Sequence, residues 1–232
     1  MTDTRFATSA DGTRIAYDVV GRGPPLLLLH GGGHNRRYWH NAGYVDRLAA
    51  DYTVIAIDIR GSGESDKPRD PSFYTIDHHC NDILAVADAC SADRFSLWGY
   101  SYGGNIGRYV AARSARVARL IMIGIPFGAA ASGEFRNMIL RIRDERSRYD
   151  PADVAWLLAM LDWPDNLPTD VPCPTLWVVG SNNPFAMSSV DEHRVALANS
   201  TVRVQIIDGL NHEQEFSEID VVLPILRTFA KP

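Results

Sequence analysis

Short runs that are apolar at consecutive positions alternate, from about residue 25 onward, with stretches that are apolar at every third or fourth residue. The first kind, at residues 25–30, 53–59, 94–98, 120–125, 175–179 and 202–207, reads as strands buried on both faces of a sheet. The second kind, at 44–50, 76–89, 104–113, 190–198 and 219–229, reads as helices, with Ile76, Ile83, Leu84, Val86 and Ala87 on one apolar stripe. Strands separated by helices predict an α/β domain with a mostly parallel central sheet flanked by helices. The start of the chain differs, because residues 5–9 and 14–20 flank Asp11-Gly12, whose residues tolerate positive φ. An antiparallel N-terminal hairpin is expected there. Residues 127–174 separate two strands and carry helical patterns of their own at 135–146 and 151–161, the second opened by Pro151. They are expected to form a short helical lid on a core made of residues 1–126 and 175–232, all within one compact domain.

The chain has 232 residues, 46% hydrophobic and 22% charged, enough for a core that needs no disulfide or metal staple. Twenty-three Lys and Arg against 28 Asp and Glu leave a net charge of −5, which repels nucleic acid and anionic membrane. The basic run at 136–148 is interrupted by Asp144 and Glu145 and reads as a solvated helix face. No apolar run is long enough to span a bilayer, and residues 1–12 lack the apolar centre of a signal peptide, so a cytoplasmic location is expected. Cys80 and Cys90 lie nearly three turns apart on one predicted helix and cannot bridge each other, and no zinc spacing is present. His78 and His79 point to different sides of that helix, which suits packing or solvent better than a shared metal. Without a Gly-x-Gly-x-x-Gly fingerprint, no cofactor is implied. The expected partner is a small-molecule substrate, with self-association left open.

Gly99-Tyr100-Ser101-Tyr102-Gly103-Gly104 follows an apolar strand and opens a helix, which is the setting in which Gly-x-Ser-x-Gly presents a nucleophile. The turn strains the serine backbone, its glycines let strand and helix approach, and the helix N-terminus favours developing negative charge. His30-Gly31-Gly32-Gly33, after the first parallel strand, offers unhindered backbone N–H groups. Gly32 and Tyr102 are the expected oxyanion donors.

With these segments in place the chain resembles the α/β-hydrolase fold family, in its esterase, epoxide hydrolase and carbon–carbon hydrolase branch. Two more segments carry the resemblance: Asp58-Ile59-Arg60-Gly61-Ser62-Gly63-Glu64-Ser65, which implies a structural turn beside the site, and Asp208-Gly209-Leu210-Asn211-His212 after the last strand. The resemblance implies that His212 is the general base, while His30 reads as packing and His40 and His193 have no visible chemical partner. It also implies an acid a few residues after the preceding strand, where Gly180-Ser181-Asn182-Asn183 places Asn183 instead. The residues after the strand at 120–125, Pro126, Phe127 and Gly128, provide no acid either. Three explanations stay open: a carboxylate from elsewhere, with Asp208, Glu213, Asp191, Glu192 and Glu134 as candidates; a Ser101–His212 dyad oriented by the Asn183 amide; or chemistry other than ester hydrolysis.

The expected pocket residues are His34, Trp39, Tyr100, Phe127, Trp156 and Phe185, whose aromatic character favours a small apolar or aromatic substrate. The leading function is a cofactor-independent serine hydrolase for an ester, lactone or carbon–carbon ketone. The alternatives are a lyase or cofactor-free oxygenase that uses His212 as a base, or a ligand-binding receptor with a degenerate triad.

Overall fold

The computed structural model describes residues 3–230, so the outermost positions of the expected core, 1–2 and 231–232, lie outside the described residues. Eight strands, β1 (Arg5–Thr8), β2 (Arg14–Val20), β3 (Pro25–Leu29), β4 (Thr53–Ile57), β5 (Phe95–Tyr100), β6 (Val117–Ile123), β7 (Thr175–Gly180) and β8 (Val202–Ile207), form one sheet. Their order is β1-β2-β4-β3-β5-β6-β7-β8. The β1–β2 and β2–β4 pairs are antiparallel and all the others parallel, as the Asp11-Gly12 turn and the later alternation predict.

Among the described residues ten α-helices accompany the sheet: α1 (Arg37–Asn41), α2 (Tyr44–Leu48), α3 (Ile76–Ala89), α4 (Tyr102–Arg113), α5 (Gly133–Asp144), α6 (Pro151–Ala159), α7 (Pro184–Glu192), α8 (Arg194–Ala198), α9 (Gln214–Ser217) and α10 (Ile219–Ala230). Because side chains alternate along a strand, β3 sends Leu27 and Leu29 to one face and Leu26 and Leu28 to the other, all fully buried. The first face packs on α3 and α4 through residues such as Ile83 and Ile106. The second packs on α2 and α10 through Tyr44, Leu48, Val222 and Leu226. Parallel strands sandwiched in this way have no solvent face, which explains their continuous apolar runs.

The helix expected at 190–198 is instead α7 and α8, which meet at His193. Asn183 caps α7 by accepting from the Ala186 N–H, and Pro184 occupies its first turn, so the helix begins earlier than its apolar period suggests. Helices α1 and α9, of five and four residues, are too short to show a period and were not foreseen. In the insertion, α5 and α6 fall close to the expected spans, and Gly128 and Asn166 form an antiparallel bridge at its base. Among the described residues no helix is long and apolar enough to cross a membrane.

The turn at residues 58–65 is an ionic knot. Asp58 accepts from the Arg36 and Glu64 backbone N–H groups and pairs with the Arg36 guanidinium, while Arg60 forks onto Asp82 at 2.6 Å through both Nε and Nη2. Beside it, fully buried His30 donates from Nδ1 to the Gly31 carbonyl at 2.8 Å and accepts at Nε2 from the Ile59 N–H at 3.1 Å. Burial pulls its pKa down to about 4, and burial also holds His79, which contacts the Tyr102 hydroxyl, well below the ordinary histidine value.

Both rings are neutral in the folded protein at a pH where unfolded histidine, with a pKa near 6.5, takes up a proton. Stability is therefore full above about pH 6.5 and falls as pH drops toward about 4, by up to roughly 1.4 kcal/mol per pH unit for each ring. Urea unfolding midpoints should decline through this window, and His30→Gln should remove about half of the slope. A midpoint unchanged between about pH 7 and about pH 5 would contradict this assignment.

Candidate active site

Strand β5 lies next to β3 in the sheet, and its chain turns sharply at Ser101 into α4. Ser101 has φ 49° and ψ −116°, a conformation that a residue with a side chain rarely adopts. The turn is tight enough that a Cβ on Gly103 would lie 2.3 Å from the Leu29 carbonyl oxygen, so a side chain there would force β3 and α4 apart. Ser101 Oγ is 3.2 Å from His212 Nε2, and His212 reaches it from the loop between β8 and α9.

The other ring nitrogen meets a carboxylate. His212 Nδ1 donates to Glu215 Oε2 at 3.2 Å, and Glu215 lies three residues on, one helical turn away in α9. The carboxylate has no exposed surface and also accepts from the Gly180 N–H at 2.6 Å. Asn183 Nδ2 donates to both carboxylate oxygens, each at 3.0 Å. The direction of the Asn183 amide follows from its other end, where Oδ1 accepts the Ala186 N–H at the start of α7 and so turns the NH2 group toward Glu215. A Cβ on Gly124 would fall 2.3 Å from Glu215 Oε2, which leaves room for the pair only because residue 124 is glycine. With Nδ1 carrying its proton toward the carboxylate, Nε2 is free to accept from Ser101.

Asn183 thus lies at the end of β7 as expected, but it faces Glu215, with His212 Nδ1 3.4 Å from its Nδ2. None of the five carboxylates named from sequence reaches His212. Asp208 accepts from Ser181 Oγ and Glu192 from Ser188 Oγ, and Asp191, Glu213 and Glu134 point into solvent. Glu215 was the missed residue. Its sequence signals are a glutamate three positions after His212 and the Asn211-x-x-Gln214 spacing of a capped helix start, in a helix too short to have a visible period.

Tyr102 is the first residue of α4, so its N–H is one of the N-terminal donors with no acceptor inside the helix. Gly32 lies against the same cavity under the Trp156 indole, where a Cβ would come within 2.4 Å of the ring. Both N–H donors named from sequence therefore border the space in front of Ser101.

That space is a cavity of about 340 Å³. Ser101, His212, Asn183 and Ser132 supply its polar side chains, and Ile125, Ala130, Phe135, Trp156, Met160 and Phe185 form an apolar wall. Among the described residues no Lys, Arg, Asp or Glu lines it. Of the six pocket residues expected from sequence, Trp156 and Phe185 line the cavity and the other four do not. His34 is exposed and stacks on Tyr38 at 3.9 Å, and Trp39 is fully buried against Tyr44 and Phe216. Phe127 is turned inward, edge-on to Trp177 at 5.1 Å. Tyr100 stands behind His212, stacked on its ring at 5.2 Å and donating from its hydroxyl to the His212 carbonyl at 3.0 Å. Sequence position near the serine did not reveal which way these side chains point. Ile125, Ala130, Phe135 and Met160 were not anticipated as wall residues. Among the described residues no cluster of three His, Cys, Asp or Glu side chains suits a metal ion.

Comparison with known proteins gives a family match to the alpha/beta hydrolase fold over residues 24–167. An uncharacterized protein of Mycobacterium tuberculosis is 39% identical over 113 residues, 48% of this chain and 32% of that protein. A soluble epoxide hydrolase of Corynebacterium sp. is 26% identical over 165 residues, covering 71% of this chain and 56% of its own length. The chain therefore spans about a third to just over half of the length of these curated relatives. Among solved structures, E-2-(acetamidomethylene)succinate hydrolase superposes with a TM-score of 0.82 at 18% identity, covering 99% of each chain, a likeness of fold.

Proposed function

The chain belongs to the α/β-hydrolase fold family, and from that premise we propose that it is a serine hydrolase acting on a small, uncharged, largely apolar or aromatic ester or lactone. The observation that carries this reading is the Ser101 Oγ–His212 Nε2 contact, continued through His212 Nδ1 to the buried Glu215 carboxylate, each step at 3.2 Å. In the proposed reaction His212 removes the Ser101 proton as Oγ attacks the substrate carbonyl. The oxyanion is received by the Gly32 and Tyr102 N–H groups. The imidazolium, stabilised by Glu215, then gives its proton to the departing alcohol, and water activated by the same histidine releases the acid.

The identity of the elbow residue argues against epoxide opening, despite the epoxide hydrolase among the relatives. A serine oxygen that opens an epoxide forms an ether, which water does not cleave under these conditions. A carbonyl substrate forms an ester, which water releases. The absence of charged residues from the described cavity lining supports an uncharged substrate, because a carboxylate or phosphate would lose its hydration there without gaining a partner.

The reading is tested by hydrolysis of p-nitrophenyl butyrate, where saturable, enzyme-dependent turnover is expected and none above background would contradict it. The same assay tests the role of Asn183. Asn183→Asp places a second carboxylate against Glu215, so the two share a proton and one NH2 donor is lost. kcat/KM is expected to fall by about ten- to a hundredfold, and further than in Asn183→Ala. If Asn183 alone oriented His212, the aspartate would instead raise activity.

A further inference from the structure

We propose that Arg108, together with Asn105, is a positioning residue that sets the insertion-side wall of the cavity by holding both stems of the 127–174 segment on the nucleophile helix. Its kinetic test rests on the ester-hydrolase reading above, and its structural test does not. Asn105 and Arg108 lie four and seven residues after Ser101, on the same face of α4. Arg108 Nε donates to Asn105 Oδ1 at 2.8 Å, which directs Asn105 Nδ2 to the Ala130 carbonyl at 3.2 Å. Arg108 Nη1 donates to the Gly128 carbonyl at 2.9 Å and the Asn166 carbonyl at 3.0 Å. Those two residues are themselves joined by reciprocal backbone hydrogen bonds, Gly128 N–H to Asn166 and Asn166 N–H to Gly128. One pair of side chains therefore gathers three carbonyls from the two ends of the insertion.

The charge of Arg108 makes this arrangement unusual within the molecule. Its side chain is fully buried, and among the described residues no carboxylate forms a salt bridge with it, whereas the other buried arginines pair with Asp18 and Asp58 or with Asp82 and Asp11. Burial brings its pKa down to about 10, so it stays charged near neutral pH and is compensated by the carbonyl dipoles and by the Tyr109 ring, whose centroid lies 4.9 Å from the guanidinium carbon. A buried cation without a counter-ion is costly, and an apolar side chain would avoid the cost. What an apolar side chain cannot supply is the fork of donors.

The consequence falls on one stem. The C-terminal stem has further anchors, with Trp163 Nε1 donating to the Tyr74 carbonyl at 2.9 Å and the Tyr109 hydroxyl donating to the Pro164 carbonyl. The N-terminal stem, residues 127–131, has the Arg108–Asn105 pair, the Gly128–Asn166 backbone bonds and the two bonds between Phe127 and Ser189 Oγ, and it carries Ala130 in the cavity wall. Loosening it should disturb the space for a long acyl chain and leave that for a short one.

The test compares Arg108→Met and Asn105→Asp with the wild type on p-nitrophenyl acetate and p-nitrophenyl hexanoate, with amide hydrogen exchange measured alongside. In Asn105→Asp the new carboxylate still accepts from Arg108 Nε but has no donor for the Ala130 carbonyl. Both variants should raise KM for the hexanoate by at least about tenfold with little change in kcat, and keep kcat/KM for the acetate within about threefold. Exchange should rise at residues 127–131 and at Asn166, whose N–H is bonded to the Gly128 carbonyl, and not at Leu167, whose N–H is bonded to Asp170 Oδ2. The proposal is overturned if the two esters lose activity together, if selectivity and exchange are unchanged, or if exchange rises throughout the chain. If Arg108→Met does not fold, Asn105→Asp decides, and failure of both to fold assigns the pair to the core and also overturns the proposal. If the wild type hydrolyses neither ester, the reading of the site fails while exchange still decides the clamp.

Discussion

Ser101→Ala is expected to reduce turnover of p-nitrophenyl butyrate by on the order of 10⁴-fold or more, with the folded structure retained. Alanine removes only the hydroxyl, and the strained backbone at residue 101 is held by the neighbouring strand and helix. Two hydrogen bonds fix that turn, from the Ser101 N–H to the Ile123 carbonyl and from the Gly103 N–H to the His30 carbonyl, and neither involves the side chain. The variant should therefore match the wild type in thermal midpoint and far-UV circular dichroism. Residual turnover within about tenfold of wild type would mean that Ser101 does not attack the substrate.

Glu215→Gln is expected to produce the second largest loss, roughly 10² to 10⁴-fold in kcat, with KM little changed. The carboxylate receives donors from three directions, the Gly180 N–H, the Asn183 NH2 and His212 Nδ1. A carboxamide has one oxygen to offer them, so its own NH2 must face at least one donor. If it faces His212, the ring takes the tautomer with its proton on Nε2 and cannot accept from Ser101. An amide replacing a triad carboxylate is known to cost on the order of 10⁴ in turnover. The loss should appear in kcat because Glu215 is fully buried and borders no part of the cavity. A Glu215→Gln enzyme with more than about a third of wild-type kcat would remove Glu215 from the mechanism.

The sheet was legible in the sequence because a strand buried on both faces, such as Pro25–Leu29, must be apolar at every position, and the elbow because Gly-x-Ser-x-Gly followed such a strand. The acid was not, for a physical reason. A carboxylate after β7 and one after His212 would both reach the same ring nitrogen, and only the fold shows which of them is there. The Asn183-Pro184 pair carries a helix-start signal of its own, an N-cap followed by proline in the first turn, and that role was hidden by reading Asn183 as a substituted acid. Glu215 lies on a one-turn helix held by reciprocal capping bonds between Asn211 and Gln214 and by burial, since Phe216 beside it packs into the aromatic cluster of Tyr38, Trp39 and Tyr44. The pocket aromatics were legible as a group near the strand ends but not by direction. Trp39, Tyr100 and Phe127 lie close to the site in sequence, yet their side chains support it from behind or pack in the core.

The relay from Glu215 through His212 to Ser101 is tested most directly by the rate and site of covalent labelling with a fluorophosphonate, followed by intact-mass and peptide analysis. The wild type should gain one adduct, on Ser101. His212→Ala should not be labelled on the same timescale, and Glu215→Gln should react at least about a hundredfold more slowly. An adduct on another residue, or equal labelling rates in the wild type and Glu215→Gln, would contradict the relay.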